Sequence, residues 1–217
     1  MKSWIQLWNA DLVKDRFSEA EEDVHFTEGL VKTFIEEFTS PGQVVLDPFA
    51  GYGTALVVAE RMGRRAVGVE LLKDRAELIR GRLSTSAEVI NADSRELLTH
   101  VPGPVDLCFT SPPYMTIVNH PENPLNAYET LDGDYRTYLG ELSDIFRQVG
   151  ELLRPGSHLV VNVCNMRDDG IVTPLAWDLA RAVSRHLVFQ REIFVCWDEQ
   201  PEWLIGDYCL IFQRADD

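Results

Sequence analysis

Two short stretches and two isolated acids carry residue types that could do chemistry. The first stretch is DPFAGYGT, residues 47–54, which follows an apolar run without a break. Gly51 and Gly53 permit a sharp turn from strand into helix and let a ligand approach the backbone. A lone GxG often marks only a turn. Here it stands at the carboxyl end of a strand, where open α/β sheets bind ligands. Asp47 would repel a phosphate, and no GKS or GKT follows, so the expected ligand is cationic or neutral. Glu70 ends the next apolar run, AVGVELL. An acid there can accept hydrogen bonds from both ribose hydroxyls of a nucleoside, or it can serve as the acid at a helix start. Asp93, in VINADSREL, could receive the exocyclic amine of an adenine or cap the helix that follows. The second stretch is Ser111-Pro112-Pro113-Tyr114, directly after the apolar run 105–109. Two prolines end a strand, because proline cannot donate to the ladder. The product is either a stiff turn or a rigid platform for a flat substrate.

The elements that must position these residues alternate regularly. Strands are expected at residues 44–46, 65–69, 87–90, 105–109 and 158–163, and helices at 54–62, 72–83, 94–98, 135–153 and 174–186. The 135–153 segment has apolar residues at helical spacing and is broken by RPGS. Two late strands, 187–197 and 208–213, follow in succession. Strand–helix alternation implies a parallel sheet covered on both faces, and the late pair implies an antiparallel hairpin at one edge. The expected fold is thus a single α/β domain over residues 1–217. Residues 1–23 form an extension in which Trp4, Ile5, Leu7 and Trp8 pack on the core or form a lid.

The 217 residues are 45% hydrophobic, enough for one sizeable core. No apolar run is long enough to span a membrane, and the start lacks the apolar stretch of a signal peptide. Cys108, Cys164, Cys196 and Cys209 are far apart and lie in apolar runs. They read as free thiols suited to a reducing cytoplasm, not as metal ligands. The net charge of −15 excludes a general basic surface of the kind that neutralises phosphates.

DPFAGYGT, Glu70, Asp93 and TSPPY, in this order, resemble the S-adenosylmethionine-dependent DNA amino-methyltransferases, which methylate cytosine N4 or adenine N6. The resemblance runs from about His25 to Arg214. It implies a Rossmann-like sheet of seven strands with an antiparallel last strand, and S-adenosylmethionine as cofactor. It assigns cofactor contacts to His25, Phe26 and Thr27, to Asp47, Pro48, Phe49, Ala50, Gly51, Gly53 and Thr54, to Glu70 with Leu71, and to Asp93 with Ser94. It assigns the target amine to Ser111, Pro112, Pro113 and Tyr114, and implies no metal. A ring-conjugated amine is a poor nucleophile. The Ser111 hydroxyl and Pro112 carbonyl would accept its two hydrogens and aim the lone pair, prolines holding the acceptors in place. Tyr114 would stack on the flipped base. A Pro-Cys dipeptide is absent, which argues against methylation at cytosine carbon 5.

The chain departs from the family pattern at Glu28, Gly29 and Leu30, where lysine or proline is usual, and at Tyr52, which either points outward or narrows the pocket. Serine before Pro-Pro-Tyr points to DNA cytosine N4 as the target. The alternatives are adenine N6, guanosine N2 in RNA, a small nucleoside-like substrate, or a catalytically silent cofactor-binding subunit. No separate target-recognition region is evident. The long loop 115–134 holds five titratable residues of His, Asp or Glu type but no Lys or Arg, so it reads as a solvated lid unless Asn119, Asn123 or Asn126 contacts base edges. DNA is therefore expected to bind weakly, as a single strand or through a partner protein. Beyond the next strand, Asn162, Asn165 and Arg167 should approach the face of Ser111. Arg167 is the local candidate for a phosphate contact. Arg61, Arg64 and Arg65 should lie at the opposite end of the sheet.

Overall fold

A computed structural model of the chain describes residues 1–17, 26–84, 87–118 and 121–216. His25, Asn119 and His120 lie outside the described residues. The strands are β1 (Trp4–Leu7), β2 (Val44–Asp47), β3 (Arg65–Glu70), β4 (Glu88–Asn91), β5 (Val105–Thr110), β6 (Leu153–Asp168), β7 (Ile171–Thr173), β8 (Val188–Trp197) and β9 (Leu204–Gln213). The helices are α1 (Asn9–Asp15), α2 (Glu28–Phe38), α3 (Thr54–Arg61), α4 (Lys73–Arg82), α5 (Leu97–His100), α6 (Tyr135–Leu152) and α7 (Leu175–Val183).

All strands join one sheet, in the order β1-β8-β9-β6-β5-β2-β3-β4, with β7 paired to β6. The core strands β6, β5, β2, β3 and β4 run parallel, and β9 is antiparallel to both β6 and β8. The α/β class and the antiparallel last strand agree with the expectation; the strand number does not. Among the described residues the sheet has nine strands, not seven. β1 adds in parallel to β8, Trp4 opposite Phe194 through Leu7 opposite Trp197. The β8–β9 hairpin therefore does not form the edge; β1 does. β7 folds back on β6 through Asp169 (φ 45°) and Gly170 (φ 76°). Both loop residues at positive φ fit the mirror-image two-residue turn that Asp-Gly favours.

Side chains on successive strand residues go to opposite faces. Val45, Leu107, Phe109 and Val160 pack with α2, α3 and Ile79 of α4 on one face. Leu46, Cys108, Leu159 and Val161 pack with α5, α6 and α7 on the other. α6 is capped by Asp134, whose Oδ1 accepts the Thr137 amide at 2.7 Å, and buries Tyr138, Leu142, Ile145, Phe146 and Val149 as one stripe. The helix passes directly into β6, so the RPGS segment lies within a strand instead of preceding one. Cys108, Cys164 and Cys209 are buried, Cys196 is half-buried, and all four are free.

Candidate active site

The carboxyl ends of β2, β3, β5 and β6 point the same way, and a cavity of about 820 Å³ opens there. This is the crevice position expected for ligands of open α/β sheets.

The glycine loop forms one wall. Ala50 donates to the Val69 carbonyl at 3.0 Å and Gly53 to the Ala50 carbonyl at 2.7 Å, which folds the loop back on β3. Gly53 has φ 82°, and a Cβ there would lie 2.8 Å from Cγ2 of Ile79, so this position excludes any side chain. Pro48, Phe49, Ala50, Gly51 and Thr54 line the cavity. Asp47 lies beneath them, fully buried. Its Oδ1 accepts the Phe49 amide (3.0 Å) and the Thr110 hydroxyl (2.6 Å), and among the described residues its Oδ2 has no hydrogen-bond partner. Burial pushes its carboxyl up to about 7.

Glu70 lines the cavity and is nearly buried. Its Oε2 accepts the Gly51 amide and its Oε1 the Leu72 amide, both at 2.9 Å. It anchors the loop and stands just ahead of α4. A carboxylate offers about four acceptor sites, so anchoring and ligand binding are compatible. Leu71 lines the same wall. Asp93 caps the turn after β4 through the Arg95 amide (2.8 Å) and pairs with the Arg95 guanidinium (2.6 Å). Burial pushes the Asp93 carboxyl up, but the bonds from Arg95 outweigh it and hold it below its ordinary value. Ser94 is buried and donates to the Pro48 carbonyl, tying this turn to the glycine loop.

Phe26 lines the cavity and meets Phe109 edge-on at 5.1 Å. Thr27 is buried, and its hydroxyl caps α2 by accepting the Leu30 amide at 3.2 Å. Tyr52 lines the cavity, so it narrows the pocket. The N-terminal segment crosses above. Asn9 bonds Asp198 (2.8 and 3.0 Å) and the Glu199 carbonyl (2.9 Å), Leu12 lines the cavity, and Phe17 packs against Tyr52 at 6.4 Å.

The opposite wall begins where β5 ends. Ser111, Pro112, Pro113 and Tyr114 all line the cavity. The Pro113 carbonyl accepts the Tyr138 hydroxyl (2.7 Å), and the Tyr114 carbonyl accepts the Tyr128 hydroxyl (3.0 Å). Two phenols thus clamp the segment. The Ser111 and Tyr114 hydroxyls bond each other at 3.0 Å. Burial, with Cys164 and Asp207 nearby, pushes the Tyr114 hydroxyl well up.

Sequence reasoning missed several of these residues. Arg95 also reaches Asn126 (2.7 Å) and Glu141 (3.3 Å), tying the 121–134 loop to the site. Asn126 is therefore engaged by Arg95 and by Thr130 (2.9 Å), and Asn123 accepts the Leu125 amide at 3.0 Å. Pro124, Leu125 and Tyr128 line the cavity, which makes the loop part of the wall and not merely a solvated lid. Asn162 lines the cavity as expected. Asn165 instead accepts the Ala176 amide at 2.9 Å, and Arg167 is exposed and not among the cavity-lining residues. Arg65 opens β3 at the far end of the sheet, as expected. Asp207, Trp197 and Trp203 also line the cavity; no local signal marked them. Among the described residues, four carboxylates (Glu70, Asp93, Glu199 and Asp207) face it against one cation, Arg75. That balance suits a neutral or cationic ligand, and so fits a nucleoside sulfonium. Among the described residues no cluster of His, Cys, Asp and Glu could hold a metal ion, and no helix is long and apolar enough to cross a membrane.

Comparison with known proteins adds independent findings. A family model described as DNA methylase matches residues 3–81, which include the glycine loop and Glu70. The type II methyltransferase M2.DpnII of Streptococcus pneumoniae is 41% identical over 61 residues, 28% of this chain and 23% of that protein. The release factor glutamine methyltransferase of Bifidobacterium longum is 30% identical over 158 residues, 62% of this chain and 53% of that protein. The chain thus spans about half or less of the length of these relatives. Among solved structures, TrmN from Thermus thermophilus superposes with a TM-score of 0.64 at 20% identity, over 87% of this chain and 49% of that one. It shares the fold.

Proposed function

We propose, from the resemblance to the DNA amino-methyltransferase family that these matches bear out, that this chain methylates the exocyclic amine of a nucleobase, with cytosine N4 of DNA as the leading target. The observation that carries this reading is convergence. A glycine loop anchored by Glu70 and a tyrosine-clamped Ser-Pro-Pro-Tyr turn face one cavity from opposite walls.

S-adenosylmethionine, the cofactor of this family, supplies when bound an electrophilic methyl group, so no covalent enzyme nucleophile is required. Glu70 and Leu71 would hold its ribose side, Asp93 and Ser94 its adenine side, and the Phe49–Gly51 backbone with Phe26 its methionine side. Ser111 and the Pro112 carbonyl would accept the two hydrogens of the target amine. Acceptors held at fixed positions favour a tetrahedral nitrogen with its lone pair exposed, and positioning of this kind can contribute several kcal/mol. The clamps from Tyr128 and Tyr138 keep that turn rigid.

The acidic cavity and the net charge of −15 favour a second reading, in which a substrate with little phosphate contact takes the same place: a small nucleoside-like amine, or a nucleotide presented by a partner protein. The clamped Ser-Pro-Pro-Tyr turn argues against a silent subunit. The test is transfer of labelled methyl from the cofactor to DNA, RNA and free nucleosides, with identification of the product. N4-methylcytosine in DNA is the expected product. Ser111→Ala should lower transfer by about tenfold or more, equivalent to about 1.4 kcal/mol, at unchanged cofactor affinity. Failure of the wild type to bind the cofactor would sink the reading.

A further inference from the structure

The wall beyond Ser111 contains a carboxylate that the mechanism above does not use. Asp207 is a buried residue near the start of β9, opposite Cys164 of β6. Thr110 pairs with Val161 of the same strand, so Ser111, which follows β5, and Asp207 of β9 lie at the same end of the sheet, on either side of β6. Both line the cavity. Asp207 is held on each oxygen: Oδ1 accepts the Asn162 amide nitrogen at 2.8 Å, and Oδ2 accepts the Trp197 indole nitrogen at 2.9 Å. Indole N–H and amide NH₂ groups only donate, so they fix the carboxyl group in one orientation, as an acceptor. Its titratable neighbours are the thiols of Cys164 and Cys209 and the hydroxyls of Tyr114 and Tyr208, which burial keeps protonated. Glu199, on the β8–β9 link, lines the same cavity. Among the described residues, no cation is paired with Asp207. A buried carboxylate without a counter-charge costs stability, and such groups cluster where a ligand uses them.

We propose that Asp207 is the acceptor that reads the amino group of the target heterocycle, so that this wall selects a planar ring bearing an amine over its oxo counterpart. The inference rests on the amine-methyltransferase reading and extends it to specificity. A ring amine offers donors to the carboxylate. An oxo group offers only lone pairs, which the ionised carboxylate repels, and a phosphate is repelled more strongly. Ser111 would then accept one amine hydrogen, and Asp207 would share the other with the Pro112 carbonyl in a three-centre bond.

The test is equilibrium binding of free 2′-deoxycytidine against 2′-deoxyuridine, and of 2′-deoxyadenosine against 2′-deoxyinosine, to the full chain, read by tryptophan fluorescence. The wild type should prefer an amino nucleoside by about tenfold or more, as expected for one charge-assisted hydrogen bond. Asp207→Asn should abolish the preference and leave cofactor affinity unchanged. Burial pushes the Asp207 carboxyl up to about 6, so the wild-type preference should fade as pH drops through that value and should not vary there in Asp207→Asn. Trp197→Phe removes a bond that stabilises the carboxylate, so its pH midpoint should lie higher. This second variant keeps the test decisive if Asp207→Asn fails to fold. Equal affinity for amino and oxo nucleosides, no binding of either up to millimolar concentration, or an unmoved pH midpoint in Trp197→Phe would overturn the proposal. If the wild type still methylates a nucleobase amine in that case, only the role of Asp207 falls. If it methylates none, the amine-methyltransferase reading falls too.

Discussion

Asp47 and Glu70 are both buried carboxylates at strand ends, and their partners set them apart. Glu70 takes a backbone amide on each oxygen. Among the described residues, Asp47 has both donors on one oxygen and none on the other, so desolvation dominates and its carboxyl rises from 3.8 to about 7. The sign follows from proton linkage. The folded state binds this proton more tightly than the unfolded state, so its contribution is full below the unfolded value and is lost as pH rises towards about 7. The difference in unfolding free energy between wild type and Asp47→Asn should therefore fall steadily across that window in urea titrations. A difference that stays constant with pH would show that Asp47 does not titrate there. For Glu70→Ala, loss of the anchor for the Gly51 amide should weaken cofactor binding by about 1–3 kcal/mol, measured by calorimetry. Unaltered affinity would remove Glu70 from the cofactor wall.

At the scale of elements, the segment from β1 to Phe17 acts as a strap. β1 is fastened to β8, Asn9 to the β8–β9 link, and Phe17 to Tyr52 of the glycine loop, with Arg75 over the Tyr52 ring at 4.9 Å and Arg82 over the Phe17 ring at 4.3 Å. α1 buries none of its residues, so its contribution to folding is small and its place over the cavity is its main structural consequence. Asn9→Ala combined with Phe17→Ala should weaken cofactor binding by roughly 3- to 10-fold, the equivalent of one ordinary hydrogen bond or a little more. The melting temperature without cofactor should change little, as for most surface substitutions. A large fall in melting temperature with unchanged cofactor affinity would make the strap a folding element instead.

For the whole molecule, charge is the governing quantity. With 35 acidic and 20 Lys or Arg residues, the chain repels a polyanion over most of its surface. Binding to naked duplex DNA should be weak, and the slope of log affinity against log salt should correspond to about one to three phosphate contacts. If the target is a base in DNA, single-stranded or mismatched DNA should react faster than matched duplex, because unstacking a paired base costs a few kcal/mol. Steep salt dependence with tight, sequence-specific duplex binding would contradict this account.

The sequence alone determined the features whose chemistry is local. Gly51 and Gly53 after an apolar run, Glu70 at the next strand end and Pro112-Pro113 after residues 105–109 each announce a backbone that few other residues could form, and strand–helix alternation announces the parallel sheet. The β7 hairpin was not among the expected elements: its three residues are too few to read as a strand on their own, although Asp169-Gly170 suits its turn. The rest depended on residues brought together from far along the chain. β1 contains the strand formers Trp4 and Ile5, but a four-residue segment forms a strand only where a partner edge, here that of β8, is available to pair with. Arg95 pins Asp93 and Asn126, Tyr128 and Tyr138 clamp the Ser-Pro-Pro-Tyr carbonyls, and Asn162 and Trp197 orient Asp207. Hydrogen bonding of this kind is decided by strand register and helix packing. A register shift of one residue would turn Asp207 away from the cavity, because alternate strand residues face opposite sides of the sheet.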